Sequence, residues 1–92
     1  MKKRIKAVAM KCEEAIKKIN EILLKSKNEK EKYGLSDEIL LKVRNEIEKM
    51  KKTLDKNKFK PIYGIFITDY PAANENLINY LLEVSYFYKK YT

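Results

Sequence analysis

Residues 4–32 read RIKAVAMKCEEAIKKINEILLKSKNEKEK. Apolar side chains recur there at alternating spacings of three and four residues, which keeps them on one face of an α-helix. This apolar stripe consists of Ile5, Val8, Cys12, Ala15, Ile19 and Ile22. The pattern predicts one long amphipathic helix over residues 3–32 that packs through the stripe against the rest of the chain.

A row of basic residues runs beside this stripe. Every seventh residue is basic, so the five side chains share one flank of the predicted helix. This basic row consists of Arg4, Lys11, Lys18, Lys25 and Lys32. Two interpretations stay open. The row can insulate the stripe and cover it with methylene stems, or it can present a positive face to an acidic protein or to nucleic-acid phosphates.

The remaining helices follow from capping signals and apolar spacing. Gly34 is suited to the left-handed residue that ends a helix, and Ser36 is suited to cap the start of the next one, over residues 36–55. So short a turn forces an antiparallel pair. A third helix is expected over residues 73–91. The predicted fold class is mainly α: an antiparallel helical hairpin plus a third C-terminal helix, in a single small domain spanning residues 1–92.

The segment between the second and third helices has the composition of a strand. Residues 62–68 are rich in isoleucine and aromatic side chains, which favour β-structure. We therefore expect an extended crossover over residues 58–70 that contains at most one short strand. A lone strand leaves backbone groups unpaired, so either water covers its edge or it pairs with a second copy. The second alternative predicts a homo-oligomer, a dimer or higher.

The composition argues against the common kinds of catalytic site. The chain has no histidine, two glycines and one cysteine. These numbers exclude a histidine-dependent triad, a glycine-rich phosphate loop and a paired-cysteine zinc site. We predict no catalytic residues, no cofactor and no metal ligands, and hence no enzyme. Cys12 lies on the apolar stripe and is expected to be a small buried hydrophobe.

The charge indicates the kind of partner. The formal net charge is +8, and residues 61–92 hold only two of the 21 basic residues. Such a balance suits an anionic partner, but lysine enrichment also follows from an AT-rich genome, and both interpretations stay open. The apolar stretch near the N-terminus is too short for a signal peptide, and no run is long enough to span a membrane. The simplest prediction is a cytoplasmic protein with no membrane partner.

A second candidate surface is apolar and aromatic, in the crossover and on the third helix. Tyrosine is favoured at interfaces because its ring buries while its hydroxyl keeps a polar partner. The predicted interface residues are Ile62, Tyr63, Ile65, Phe66, Ile67, Tyr70, Tyr80, Tyr86 and Phe87. In size and composition the chain is similar to bacterial immunity proteins, antitoxins and phage-encoded inhibitors, without a matching motif.

The predicted function is that of a small basic interaction or inhibitor-type protein that binds and masks an acidic protein partner, as a homo-oligomer. The alternative is a nucleic-acid-associated protein that contacts phosphates through the basic row. A small anionic ligand bound at a subunit interface is a third hypothesis.

Overall fold

The fold is known from a computed structural model that describes residues 2–70 and 73–92. This part of the chain contains five helices and no strand. The helices are α1 (Lys2–Leu23), α2 (Lys27–Glu31), α3 (Asp37–Thr53), α4 (Tyr63–Ile67) and α5 (Glu75–Tyr91). The predicted mainly α class is confirmed.

The α1–α3 hairpin forms because both helices bury an apolar stripe with the predicted spacing. From Val8 to Ile22 the stripe of α1 is fully buried, and Ile5 at its start is half-buried. The facing stripe of α3 consists of Leu40, Val43, Ile47 and Met50, all of them buried. Full burial of one such side chain stabilises the fold by about 1.5–3 kcal/mol. Lys51 near the end of α3 lies 3.8 Å from Glu13 of α1, as an antiparallel pair requires.

The first helix is shorter than predicted. The expected helix over residues 3–32 breaks after Leu23, and α2 begins after Ser26, whose hydroxyl accepts a hydrogen bond from the Glu29 amide at 3.4 Å. No residue of α2 is buried, so tertiary packing does not stabilise a continuous helix through this region. The local hydrogen bond of the Ser26 side chain therefore decides where α2 begins. Gly34 has φ 69°, as the predicted left-handed position demands.

The strand-like prediction for residues 62–68 is wrong, since this segment forms α4. The Glu46 carboxylate of α3 accepts hydrogen bonds from the backbone N–H groups of Ile62 (2.9 Å) and Tyr63 (2.7 Å), which caps α4 at its N-terminus. Tyr63 and Ile67, one helical turn apart, are both buried. The segment shows no strand edge, so the expectation that a second copy pairs with it as a strand loses its basis.

Helix α5 packs against α1, and α4 contacts both α3 and α5. Tyr63 donates a hydrogen bond from its hydroxyl to the Leu81 carbonyl of α5. The Tyr88 hydroxyl lies 2.8 Å from the Asp55 carbonyl oxygen and 2.7 Å from that of Phe59. These bonds hold the loop that follows α3 against the last turns of α5. The start of α1, the end of α3 and the end of α5 therefore meet at one end of a molecule 42 Å long.

Candidate protein-interaction surface

Three members of the basic row lie over aromatic rings of α5. A cation over a ring face is attracted by the negative face of the π system, and the ring also shields the cation from solvent. The pairs are Arg4 with Tyr91 (5.4 Å to the ring centroid), Lys11 with Phe87 (4.5 Å) and Lys18 with Tyr80 (6.0 Å). These side chains flank the α1–α5 contact, as the insulating interpretation predicts.

The basic row does not form one continuous face. Lys11 also forms an ion pair with Glu83 of α5 at 3.2 Å. Lys25 and Lys32 lie beyond the end of α1, where they line a separate small groove beside Tyr33. A phosphate backbone would therefore meet the row in two separated parts, with the first part already engaged by α5.

The structure divides the predicted interface residues into three groups. Tyr63 and Ile67 are fully buried, so their prediction as interface residues is corrected. Residues four apart lie on one face of a helix, and in α4 this face points into the core. Tyr80 and Phe87 are partly buried and pack beside the basic row. Phe66 is also half-buried against the core. The exposed members are Ile62 (56%), Ile65 (73%), Tyr70 (39%) and Tyr86 (57%).

Three of the exposed or half-buried apolar residues of α4 and α5 line a single groove together with Ile62, which precedes α4. We call Ile62, Ile65, Leu82 and Tyr86 the α4–α5 surface. The groove has a volume of about 280 Å³ and is completed by Pro61, Gly64, Ser85 and Lys89. A Cβ atom on Gly64 would lie 3.3 Å from Cδ2 of Leu82, so the glycine permits the close approach of α4 to α5. Among the described residues that line the groove, Lys89 is the only charged one.

The groove borders a concentration of positive charge that the sequence analysis did not identify. Three separate segments, residues 4–6, 49–60 and 89–90, bring their cations to the end of the molecule where α1 begins and α3 and α5 end. We call this set the basic end: Arg4, Lys6, Lys49, Lys51, Lys52, Lys56, Lys58, Lys60, Lys89 and Lys90. The one acidic residue within the same segments, Asp55, accepts a hydrogen bond from the Asn57 amide at 2.9 Å. Six of the ten lie within residues 49–60, and the packing of the helices adds the four from the start of α1 and the end of α5.

A larger groove of about 590 Å³ lies between α1 and the start of α5, with Tyr33 and Tyr80 in its walls. Burial, together with nearby Glu14 and Glu83, raises the pKa of the Tyr80 hydroxyl. The groove is lined by two glutamates and two lysines, Glu14, Glu21, Lys17 and Lys18, so its charges favour neither anions nor cations.

Cys12 is fully buried, and burial raises the pKa of its thiol to about 11, with nearby Lys51 acting in the opposite direction. We expect the thiol reagent dithiobis(nitrobenzoate) to leave Cys12 of the native protein unmodified and to react with it fully once the chain is unfolded. The raised pKa adds stability below the unfolded pKa of 9.0, and that stability is lost as the pH rises towards 11. Between about pH 8 and pH 10, wild type should therefore lose roughly 1 kcal/mol more unfolding free energy than Cys12→Ala, measured by urea denaturation. Rapid modification of the native protein would contradict this assignment.

The described residues contain no group of three His, Cys, Asp or Glu side chains placed to hold a metal ion. None of the described helices combines the length and the apolar character needed to cross a membrane. A comparison with protein-family models, with curated proteins and with solved structures found no match in any of the three.

Proposed function

We propose that this chain is a small basic interaction protein that binds and masks an acidic protein partner through the α4–α5 surface. The observation that supports this most directly is the position of exposed isoleucines beside the basic end. Ile62 and Ile65 are 56% and 73% exposed on elements that otherwise point their apolar side chains inward. Apolar anchors of this kind supply binding energy, and surrounding lysines accelerate association with an acidic target.

The mechanism is steric masking. When a partner binds the α4–α5 surface, the apolar residues of the partner that make the contact are covered. Other molecules can then no longer bind those residues, and no covalent step is required. The single buried cysteine is in keeping with a cytoplasmic location.

Nucleic acid is the alternative partner, and the basic end is the observation that favours it. Both arginines are engaged within the chain: Arg4 lies over Tyr91, and Arg44 donates a hydrogen bond to Asn20 at 2.7 Å. Phosphate contacts would therefore rest on lysines, which bind as point charges and lack the bidentate geometry of a guanidinium group. The isoleucines of the α4–α5 surface would remain uncovered.

The test compares two variants that place a charge on an exposed apolar residue. Ile65→Glu alters the α4–α5 surface, and Leu24→Glu is the matched control, because Leu24 is 87% exposed between α1 and α2. In pull-downs from extracts of the source cells with added nuclease, wild type and Leu24→Glu should retain the same protein partner. Ile65→Glu should retain at least about tenfold less, because a charge would enter the apolar contact.

Circular dichroism should show the same helical content for all three proteins, because Ile65 and Leu24 lie outside the core. Equal retention by Ile65→Glu and Leu24→Glu would contradict the proposal. Loss of the bound material on nuclease treatment would instead support the nucleic-acid alternative, with the basic end as its contact surface.

A further inference from the structure

We infer that the partner element seated on the α4–α5 surface is an amphipathic α-helix whose acidic residues lie over the basic end. This inference rests on the proposed function and specifies the chemistry of the partner. It follows from three properties of the groove: the structure of its walls, its length, and the position of the positive charge.

The walls of the groove are the helices α4 and α5. The interior backbone groups of helices are bonded within the helix, and the described residues contain no strand that could offer a free edge. An extended segment in this groove would therefore bury unpaired N–H and C=O groups. A helix satisfies its own backbone bonds and needs only an apolar face, which is the usual mode of binding to a helical groove.

The length of the groove sets the number of anchors. Along α5 it extends from Leu82 to Lys89, a rise of about 10 Å at 1.5 Å per residue. This distance corresponds to about two turns of a bound helix. A helix lying along it would present apolar residues at spacings of three and four, with Ile62, Ile65 and Tyr86 as their contacts on this chain.

The charge is concentrated at one end of the groove. The Phe59 carbonyl oxygen lies 2.7 Å from the Tyr88 hydroxyl, which places Lys60 and Pro61 beside the last turns of α5, where Lys89 lines the groove. Lys90 adds a further cation, its amine lying 5.5 Å from the centroid of the Tyr86 ring. Acidic residues of the bound helix would therefore be stabilised by these lysines at this end of the groove and would gain little electrostatic stabilisation at its other end.

Neither a second copy nor duplex DNA fits the surface as well. A second copy brings another net charge of +8 and places lysines near lysines. DNA meets the basic end but supplies no apolar side chain for the exposed isoleucines. An acidic amphipathic helix matches both properties of the surface.

The experiment uses fluorescently labelled synthetic peptides of about 16 residues, followed by anisotropy and by amide chemical shifts of the whole protein. One peptide has leucines at helical spacing and glutamates elsewhere. A second has the same composition in scrambled order, and a third has lysine in place of glutamate. The protein variants are Ile65→Glu with Leu24→Glu as its control, and Lys60→Glu/Lys89→Glu with Lys27→Glu/Lys42→Glu as its control, since Lys27 and Lys42 are exposed and lie away from the groove.

The acidic amphipathic peptide should bind wild type saturably and shift the amide signals of α4 and of the second half of α5. Its affinity for Ile65→Glu should be at least about tenfold lower than its affinity for wild type. Lys60→Glu/Lys89→Glu should weaken it about fivefold or more, with both controls unchanged. Equal binding of the scrambled or lysine peptide would overturn the inference, and so would tighter, Lys60- and Lys89-dependent binding of a DNA duplex. A dimer of the free protein that Ile65→Glu dissociates would show that a second copy occupies the groove.

These outcomes separate the two proposals. If the pull-down depends on Ile65 while no peptide binds, the proposed function stands and the helical, acidic character of the partner is refuted. If Ile65→Glu affects neither experiment, both proposals fail.

Discussion

Tyr63→Ala should lower the free energy of unfolding by about 4 kcal/mol, the middle of the range for truncation of a buried aromatic side chain. Tyr63 is fully buried, and its ring is held between α3 and α5 by α4. Its removal leaves a cavity at the junction of three helices and deprives the Leu81 carbonyl of the hydroxyl donor. Because α4 has only five residues, Ile67 is its one other fully buried side chain.

Urea denaturation followed by circular dichroism measures this effect. Tyr63→Phe keeps the ring and removes only the hydroxyl, so its cost should be about 1 kcal/mol. Tyr70→Ala is the exposed control, since Tyr70 is 39% exposed and has little packing to lose; its cost should stay below about 1 kcal/mol. A cost for Tyr63→Ala no greater than that for Tyr70→Ala would show that α4 is not anchored as described.

Glu46→Ala should destabilise the protein by about 2–3 kcal/mol. One carboxylate oxygen of Glu46 accepts both the Ile62 and the Tyr63 amide, and hydrogen bonds to a charged acceptor are worth about 1.5–3 kcal/mol each when buried. Water offsets part of the free energy lost with these two hydrogen bonds, because Ile62 is exposed and its amide can be solvated. The Tyr63 amide lies in the buried part of the turn and has no such replacement.

Glu48→Ala is the matched control, because Glu48 lies on the same helix and only reaches Arg44 at 4.0 Å on the surface. Its cost should remain below about 0.5 kcal/mol, as for other exposed ion pairs. Glu46→Gln keeps an acceptor oxygen and should fall between the two. Thermal denaturation compares all three, and amide exchange at Ile62 and Tyr63 should accelerate in Glu46→Ala alone. Equal stability of Glu46→Ala and Glu48→Ala would contradict the assigned cap.

Composition predicted a set of apolar and aromatic surface residues but not which of them are exposed. Ile62, Ile65 and Tyr86 stand out because apolar and aromatic residues exceed what one helical stripe can bury. Tyr63 and Ile67 belong to the same run but lie in the core. Residue type cannot distinguish the two groups, since the strand and helix periods assign the same residues to different faces.

The basic row shows a different limit. Its seven-residue spacing correctly places Arg4, Lys11 and Lys18 on one flank of α1. The spacing does not specify the neighbouring helix, and the rings of α5 supply the neighbours. The basic end was not predicted because its members come from three segments, residues 4–6, 49–60 and 89–90, that meet only in the folded chain.

The amino-acid sequence by itself determined that α1, α3 and α5 are helical, although not that α1 ends at Leu23, together with the turn at Gly34 and the buried stripes, because helical period and capping act within a few residues. Only the tertiary structure decided that residues 63–67 are helical, since the carboxylate that caps them lies 16 residues away on α3. It also decided where the charge lies. Antiparallel packing brings one terminus of each long helix to the same end, and lysines that are far apart along the chain meet there beside the α4–α5 surface.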